Sequence, residues 1–176
     1  MSLAKRIIPT LLYRGEQLVK GERFNSWRSV GHVQQAARIY ATRGVDELCI
    51  LDIGATPEGR GPNLELVARI AEGNFTPLTV GGGVRSVEHV EALLRAGADK
   101  VAICTSIMDI VRIAKDCAER FGSQAIVASI DAQKLPDGRW QVVVGCGTRP
   151  LESFRVGESV PADPVSWSVM CEQYGA

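Results

Sequence analysis

The sequence predicts an α/β fold of the (β/α)8 TIM-barrel type, truncated to about five βα units and forming a single partial-barrel domain over residues 1–176. Short apolar runs alternate with amphipathic segments, which is typical of a parallel sheet with right-handed crossovers. Two stretches, GVDELCILDIGAT and GADKVAICTSI, share one plan: Gly-x-Asp, an apolar run, then small polar residues. Polar residues at strand C-termini favour a barrel. A doubly wound sheet is the alternative, but no GxGxxG motif follows the first apolar run.

The first half of the chain predicts a hairpin followed by two βα units. Apolar residues at helical spacing, such as Val33, Ala37 and Tyr40, identify the helices, and Asn63 is a suitable N-cap. The predicted elements are a strand over Arg6–Leu12, a turn over Tyr13–Glu16 into Gln17–Lys20, a functional loop over Gly21–Gly31, a helix over Val33–Thr42, a strand over Asp46–Ile53, a loop over Gly54–Pro62 and a helix over Leu64–Glu72.

The stretch Pro77–Ser106 predicts a phosphate site at the C-terminal end of the sheet. Gly81–Gly83 removes every Cβ where a strand ends, so backbone N–H groups can approach an anion, and the N-terminus of the next helix favours negative charge. Thr105 and Ser106 add hydroxyl groups after the second strand. A plain glycine turn is the alternative. The predicted elements are a strand over Pro77–Val80, a helix over Val84–Arg95 and a strand over Lys100–Cys104.

The remaining chain predicts one more βα unit, a hairpin and a final helix. The Asp-Gly pair at Asp137 and Gly138 is a strong hairpin signal. The predicted elements are a helix over Met108–Phe121, a strand over Gln124–Ile130 that ends at Asp131, a turn over Lys134–Gly138, a return strand over Trp140–Val144, a loop over Gly145–Ala162 and a helix from Asp163 or Pro164 to about Tyr174.

The composition is that of an ordinary globular domain, with 45% hydrophobic and 23% charged residues. Lys and Arg number 20, as do Asp and Glu, so the net charge predicts neither a nucleic-acid nor a membrane partner. No signal peptide or transmembrane span is expected. The five cysteines are scattered, without the spacing of a zinc site, so no metal or cofactor is expected. They are interpreted as core residues in a reducing cytoplasm.

A series of motifs, in order along the chain, resembles one family. LAKRIIP, LVKG, DELCILDI, TVGGGV, RAGADKVAICTS, FGSQAIVASIDA and WSVMCEQYGA resemble the cyclase subunit of imidazole glycerol phosphate synthase, the HisF family. The resemblance covers most of the chain outside the loop that starts at Gly145. It implies a cofactor-free TIM-barrel lyase of histidine biosynthesis, which joins ammonia from a glutaminase subunit to a phosphorylated ribulosyl aminoimidazole carboxamide.

The resemblance implies a phosphate site and a catalytic carboxylate at the strand ends. Gly82, Gly83 and Thr105 match the phosphate site of the N-terminal half of the barrel. Cys104 stands where the family usually has Asn, so that site has one donor fewer. Asp131 matches one of the two catalytic aspartates.

Three charged residues are assigned to the mouth of the same site by the resemblance. Lys20 matches the basic residue of the first loop, and Arg28 adds charge there. Asp52 matches an acidic residue of the active-site mouth. The simpler interpretations are solvated loop charges for Lys20 and Arg28 and a capping role for Asp52.

The opposite end of the barrel is implied to admit ammonia. Arg6, Glu47 and Lys100 match three members of a charged ring at the N-terminal face, and Asp99 matches an acid that faces the glutaminase. Each residue stands at the start of a predicted strand. A surface salt-bridge cluster that contributes little is the alternative.

One residue departs from the family at a catalytic position. Leu12 stands where the family has an aspartate at the end of strand one. Leucine has no proton to transfer, and general acid–base catalysis contributes about 10²–10⁴-fold, so weakened cyclase activity is predicted. The alternative is a HisF-like branch that passes ammonia on for amidination of a surface sugar.

The length suggests an incomplete barrel, because a (β/α)8 barrel typically has about 250 residues. The second phosphate site, a further catalytic aspartate of the family and the fourth ring residue are expected beyond Ala176. An open barrel leaves strands one and five as edges, so we expect a homo-oligomer. A third hypothesis follows, a non-catalytic half-barrel that self-associates and binds phosphate.

Overall fold

The structure is a computed structural model that describes residues 5–22, 25–104, 107–145, 147, 149–150 and 163–176. Strands and helices alternate through most of this part of the chain. The strands are β1 (Thr10–Arg14), β2 (Gln17–Glu22), β3 (Asn25–His32), β4 (Leu48–Asp52), β5 (Leu78–Gly81), β6 (Lys100–Ile103), β7 (Ile126–Ala128), β8 (Asp131–Lys134), β9 (Trp140–Val144) and β10 (Arg149–Pro150). The helices are α1 (Val33–Thr42), α2 (Leu64–Ala71), α3 (Val87–Arg95), α4 (Ile107–Phe121) and α5 (Pro164–Gln173).

A seven-stranded sheet forms the centre of the fold, in the order β3-β2-β1-β4-β5-β6-β7. β1, β4, β5, β6 and β7 pair in parallel, and helices α1 to α4 lie between them along the chain. The predicted parallel α/β architecture of about five units is confirmed. The sheet ends at β3 and β7, so it does not close into a barrel within the described residues.

The core lies between the sheet and its helices. Successive strand side chains point to opposite faces, so Leu11 and Tyr13 are buried on one face of β1 while Leu12 lies on the other. The helices contribute apolar faces at helical spacing. Their buried residues include Val33 and Ala37, Leu66, Val67 and Ile70, Val90 and Leu93, and Ala114 and Cys117. This packing leaves the second face of the strands for the candidate site.

The first predicted loop is in part a strand, which corrects the sequence interpretation of Gly21–Gly31. β3 pairs antiparallel with β2, and β2 pairs with the end of β1. Most of this hairpin is exposed, so it carries no apolar alternation that sequence reasoning can recognise. Strand one was expected to be an edge of the sheet, and this expectation is wrong. The edge strand on that side is β3.

Several strands are shorter than predicted, and local causes are visible at β1 and β7. The strand expected over Arg6–Leu12 begins only at Thr10, because Pro9 has no N–H to donate to the ladder. Ile7 precedes it with 69% of its surface exposed. The strand expected over Gln124–Ile130 is limited to β7, since a 3₁₀ turn occupies Ser123–Ala125.

Helix starts follow their caps. The side chain of Asn63 accepts a hydrogen bond from Leu66 N at 3.1 Å, which confirms the predicted start of α2. α3 starts at Val87 rather than Val84, because Ser86 is its N-cap. Each cap satisfies a backbone N–H that the first helical turn leaves unpaired.

The chain after β7 forms a second, antiparallel sheet in the order β10-β9-β8. The predicted Asp-Gly turn is confirmed: Leu135 N donates to Arg139 O at 2.8 Å, and Gly138 has φ +88°. The predicted last helix is also confirmed as α5, which buries Trp167 and Cys171. No helix in the described part of the chain is long and apolar enough to cross a membrane.

The cysteines differ in burial, and Cys49, on β4, is only partly buried. Cys117 and Cys171 are buried in the core, as predicted. Cys104 is not a core residue, because it follows β6 and lies in the wall of a cavity. Cys146 lies outside the described residues.

Candidate functional site

A cavity of about 270 Å³ lies at the C-terminal end of the parallel strands. Every parallel strand contributes to its wall, directly or through the residues that follow it. Its lining is mostly apolar, with two carboxylates, one thiol and one guanidinium. The lining residues are Leu12, Arg14, Trp27, Leu51, Asp52, Ile53, Thr56, Pro57, Gly82, Ala102, Cys104, Ser129 and Asp131.

Asp131 is the carboxylate best placed for chemistry. It begins β8, three residues after β7 ends, and it is half-buried in the cavity wall. Burial raises the pKa of Asp131 above its ordinary value, and a hydrogen bond from Cys104 Sγ to Oδ2 at 3.5 Å offsets part of that rise. No cation lies within ion-pair distance of Asp131 among the described residues. A carboxyl in such a setting can carry a proton more readily than a solvated one.

Asp52 lines the same cavity, but its carboxylate is fully engaged. Arg60 donates to Oδ2 at 2.7 Å and to Oδ1 at 3.0 Å. The backbone N–H groups of Gly54 and Ala55 also donate to Oδ1, at 2.9 and 3.2 Å. Asp52 thereby fixes the turn that follows β4, which agrees with the simpler interpretation of a capping acid.

Tyr13 is buried on the helix-facing side of β1. Burial, together with the negative charge of Asp52, raises its pKa well above the ordinary value. The phenol therefore stays protonated throughout the physiological range and is part of the fold rather than an acid–base group of the cavity.

Sequence reasoning missed a cation at the cavity mouth, Arg14. Its Nε donates to Glu58 Oε1 at 3.0 Å, and Glu58 Oε2 accepts from Arg60 Nε at 2.8 Å. This chain of charges, from Arg14 through Glu58 to Arg60, ties the loop after β4 to β1. The sequence did contain a signal for Arg14. It stands two positions after Leu12, and side chains two positions apart in a strand lie on the same face of the sheet.

The glycine turn after β5 packs closely against the loop after β4. Gly82 lines the cavity with φ +110°, and a Cβ there would collide with the backbone of Asp52. Gly83 has φ +72°, and its Cβ would lie 2.9 Å from Ala55 Cβ and from Arg60 O. Both positions need glycine, although Gly83 is not among the residues that line the cavity. Thr105, the third predicted phosphate contact, lies outside the described residues.

Leu12 lies in the cavity wall, at the position where the resemblance implies an aspartate. It shares that wall with Asp131 and with the thiol of Cys104. Of the two carboxylates in this wall, Asp52 is paired with Arg60, and Asp131 has no ion-pair partner among the described residues.

Lys20 and Arg28 lie opposite each other on the β2–β3 hairpin, and both are exposed. Neither is among the residues that line the cavity. The hairpin instead contributes Trp27, which lies within the functional loop predicted over Gly21–Gly31.

A buried ion cluster occupies the opposite end of the parallel strands. Glu47, only 5% exposed, accepts from Lys100 Nζ at 2.6 Å and from Thr79 Oγ1 at 2.6 Å. Arg6 lies farther away, with 3.6 Å between Nη1 and Glu47 Oε2, and is largely exposed. Burial alone would raise the pKa of Glu47, but the hydrogen bonds from Lys100 and Thr79 outweigh it, so the pKa is lowered. The predicted charged residues thus come together.

Asp99 lies beside this cluster, at the start of β6. It is exposed, and its Oδ2 accepts a hydrogen bond from Leu78 N at 2.7 Å. Its carboxylate therefore helps to start β5 while remaining accessible at this end of the fold.

The comparison with known families covers nearly the whole chain. The family described as histidine biosynthesis protein matches residues 6–174. The chain belongs to this family. Two curated relatives, each named imidazole glycerol phosphate synthase subunit HisF, come from Streptococcus sanguinis (strain SK36) and Streptococcus gordonii (strain Challis). Each is 46% identical over 147 residues, covering 84% of this chain. The predicted HisF-family resemblance is confirmed.

Membership of the histidine biosynthesis protein family also accounts for the fold. The family fold is a TIM barrel, and the five parallel strands form part of one. The alignment spans 58% of the length of the two HisF relatives. The resemblance to a branch linked to surface sugars stays a prediction.

Proposed function

We propose that this chain is the barrel component of a HisF-type synthase, which binds a phosphorylated ribulosyl aminoimidazole substrate and uses ammonia from a glutaminase subunit. The observation that carries the proposal is Asp131, a half-buried carboxyl in the cavity wall whose pKa is raised by burial. A general acid–base group works best when its pKa lies near the operating pH. Asp131 is the proposed proton-transfer residue.

The substrate phosphate is proposed to lie at the glycine turn after β5. Gly82 lines the cavity, and a glycine there allows an anion to approach the backbone closely. Gly83 supports the turn by packing against the loop after β4. Thr105 follows β6, the neighbouring strand, and is the second proposed contact. Lys20 is a weaker candidate, because it lies outside the cavity wall.

Ammonia is proposed to enter at the other end of the strands, through the cluster of Arg6, Glu47 and Lys100. β6 connects the two ends, since Lys100 begins it and Cys104 follows it. At about 3.3 Å per residue, this strand spans about 13 Å. A glutaminase docked beside Asp99 would release ammonia a short distance from Asp131.

A second candidate function rests on Leu12. Its place in the cavity wall removes the second proton-transfer group that cyclisation needs, while Arg6, Glu47 and Lys100 still come together at the other end. This combination favours a HisF-like paralogue that conducts ammonia to another acceptor, such as a surface sugar to be amidinated. Arg6, Glu47, Asp99 and Lys100 would then be the functional residues.

The cyclase proposal is tested by turnover of the phosphorylated ribulosyl aminoimidazole carboxamide with an ammonium salt as nitrogen source. Wild type is expected to give slow turnover, and Asp131→Asn to reduce it by about 10²–10⁴-fold. Leu12→Asp is expected to raise it by restoring the second carboxylate. Absence of product from both the wild type and Leu12→Asp rejects the cyclase.

The ammonia-transfer alternative is tested by mixing the chain with the glutaminase and measuring glutamine hydrolysis. Stimulation without cyclase product supports it, and Lys100→Met should abolish that stimulation. Lys115→Met is the matched control, because Lys115 is exposed on α4, away from the cluster. No binding and no stimulation rejects this function.

The remaining hypothesis, a non-catalytic half-barrel, predicts an oligomer by light scattering, and a well-folded monomer would contradict it.

A further inference from the structure

Arg14 is the single cation among the described residues that line the C-terminal cavity. Of the two carboxylates there, Asp52 is already neutralised by Arg60, and burial raises the pKa of Asp131. The guanidinium of Arg14 is therefore the cavity group best able to attract an anionic ligand. About half of its side-chain surface, 55%, is exposed, so it is reachable from solvent.

The backbone below Arg14 is shaped to hold its side chain. A Cβ on Gly54 would lie 2.8 Å from Arg14 Cγ and 3.1 Å from Glu58 Oε1. Gly54 has no positive φ, so the glycine is required for space rather than for backbone conformation. The stem of Arg14 thus lies directly against the loop after β4, which limits the directions that its guanidinium can take.

The present partner of Arg14 can be exchanged. Glu58 bridges Arg14 and Arg60, one oxygen to each. An exposed ion pair contributes little net stability, whereas a phosphate offers a guanidinium two parallel charge-assisted bonds. If an anion replaces Glu58 on Arg14, Glu58 keeps its bond to Arg60, and no charge is left without a partner.

An aromatic ring lies in the same wall. Trp27, on β3, lines the cavity with Arg14 and is only partly exposed. Apolar side chains, among them Leu12 and Leu51, form the rest of the pocket. Indole faces pack well against flat rings in offset-stacked geometry. The volume of about 270 Å³ suits a ligand with one ring rather than a large one.

The geometry points to Arg14 and Trp27 as a subsite for a phosphate monoester carried on a flat ring. Arg14 binds the phosphate after leaving Glu58, and Trp27 stacks on the ring. This subsite specifies the class of ligand that the cavity binds. It rests on the proposed function in one respect, that this cavity is the ligand site. It lies on β1 and β3, separate from the glycine turn after β5.

The test is a titration of the full chain with phenyl phosphate. Binding is monitored by NMR through the indole N–H resonances of the tryptophans. Trp27 is expected to shift, and Trp27→Phe assigns its signal. Trp167 is buried in the core and Trp140 is exposed away from this cavity, so both serve as internal controls. Phenol and inorganic phosphate, titrated separately, are each expected to bind more weakly than phenyl phosphate.

Three variants decide the assignment to Arg14. Arg14→Gln should weaken phenyl phosphate binding by about ten-fold or more, since bonds to charged groups are the strong ones. Lys115→Gln, which removes an exposed cation on α4 outside the cavity wall, should change it less than about two-fold. Glu58→Gln should tighten binding, because the competing carboxylate is gone.

The inference is overturned if Arg14→Gln binds like the wild type, or if Lys115→Gln loses as much affinity. Should Arg14→Gln fail to fold, Glu58→Gln decides: unchanged or weaker binding rejects the subsite. Because binding requires no turnover, the outcome is independent of the cyclase assay. A protein that turns over substrate without shifting Trp27 keeps the proposed function and loses this subsite.

Discussion

The two ends of the parallel sheet each carry a carboxylate in a partly or fully buried setting, and they treat it in opposite ways. At the N-terminal end, Glu47 is bound by Lys100 and Thr79, and its pKa is lowered despite burial. At the C-terminal end, Asp131 meets the thiol of Cys104, and its pKa is raised by burial. Bonding partners, more than depth of burial, therefore set the direction of the pKa shift of each carboxyl group.

The same contrast separates a structural end from a chemical one. A carboxylate with its hydrogen bonds satisfied stabilises the fold and holds neighbouring strands in register. A carboxyl group that is buried without a charged partner destabilises the fold when it is ionised. Such groups are concentrated at functional sites, where the raised pKa serves the chemistry. Asp52 and Arg60 show that the C-terminal end also contains a cation able to pair with a carboxylate, but that cation is bonded to Asp52.

The largest expected effect comes from the backbone that shapes the C-terminal end. In Gly82→Ala, the new Cβ collides with the backbone of Asp52, and the residue must also hold a positive φ. The free energy of unfolding should fall by about 4 kcal/mol, measured by urea denaturation.

Gly59→Ala is the matched control for Gly82→Ala. Gly59 has φ +69°, and a Cβ there meets nothing within 4 Å, so only the backbone strain remains, about 1–2 kcal/mol. Equal losses in the two variants would show that close packing of the glycine turn against the β4 loop is not what requires Gly82.

The second effect probes the N-terminal end. Glu47→Gln removes the charge that pairs with Lys100 in a buried position, and should lower the free energy of unfolding by about 1–3 kcal/mol at pH 7. Because the folded pKa of Glu47 is lowered, its contribution is present above the unfolded value of about 4.3 and is lost as the pH falls through the folded pKa. The difference between variant and wild type should therefore vanish in acid.

Urea denaturation at a series of pH values measures this dependence. Glu65→Gln is the control, because Glu65 pairs with Arg69 on an exposed helix face, and no resolvable change is expected. A Glu47→Gln loss that is the same at pH 7 and in acid would mean that packing, rather than charge, holds the cluster together.

Much of this arrangement follows from local sequence pattern, and the helices show why. α1 has the predicted bounds, Val33–Thr42, because its apolar spacing begins and ends within the element. The cap at Asn63 and the Asp-Gly turn at Gly138 are likewise readable, since each signal acts within a few residues.

What sequence pattern could not supply are contacts between distant residues. Arg14 and Glu58 are separated by 44 positions, and nothing local in either residue indicates the other. Trp27 reaches the cavity only because β3 continues the sheet, and β3 is too exposed to show an apolar alternation. The charged residues around Glu47 were predicted together through the family resemblance, whereas Thr79, a neutral partner inside β5, was not.

The smallest expected effect has the opposite sign and tests the C-terminal end directly. The folded pKa of Asp131 is raised, so the folded state holds its proton more tightly than the unfolded chain, whose pKa is about 3.9. Stability is therefore lost as the pH rises from that value through the folded pKa. Asp131→Asn removes the ionisation and should increase the free energy of unfolding at pH 7, with no gain below pH 3.

Asp52→Asn is the matched variant in the same cavity wall, and it sharpens the contrast. It leaves Arg60 with a weaker partner, so it should lower the free energy of unfolding at pH 7 while Asp131→Asn raises it. Urea denaturation of both variants at pH 7 and pH 3 measures the two signs. A loss of stability in Asp131→Asn at pH 7 would mean that the hydrogen bond from Cys104 outweighs burial, and that the two ends of the sheet hold their carboxylates in the same way.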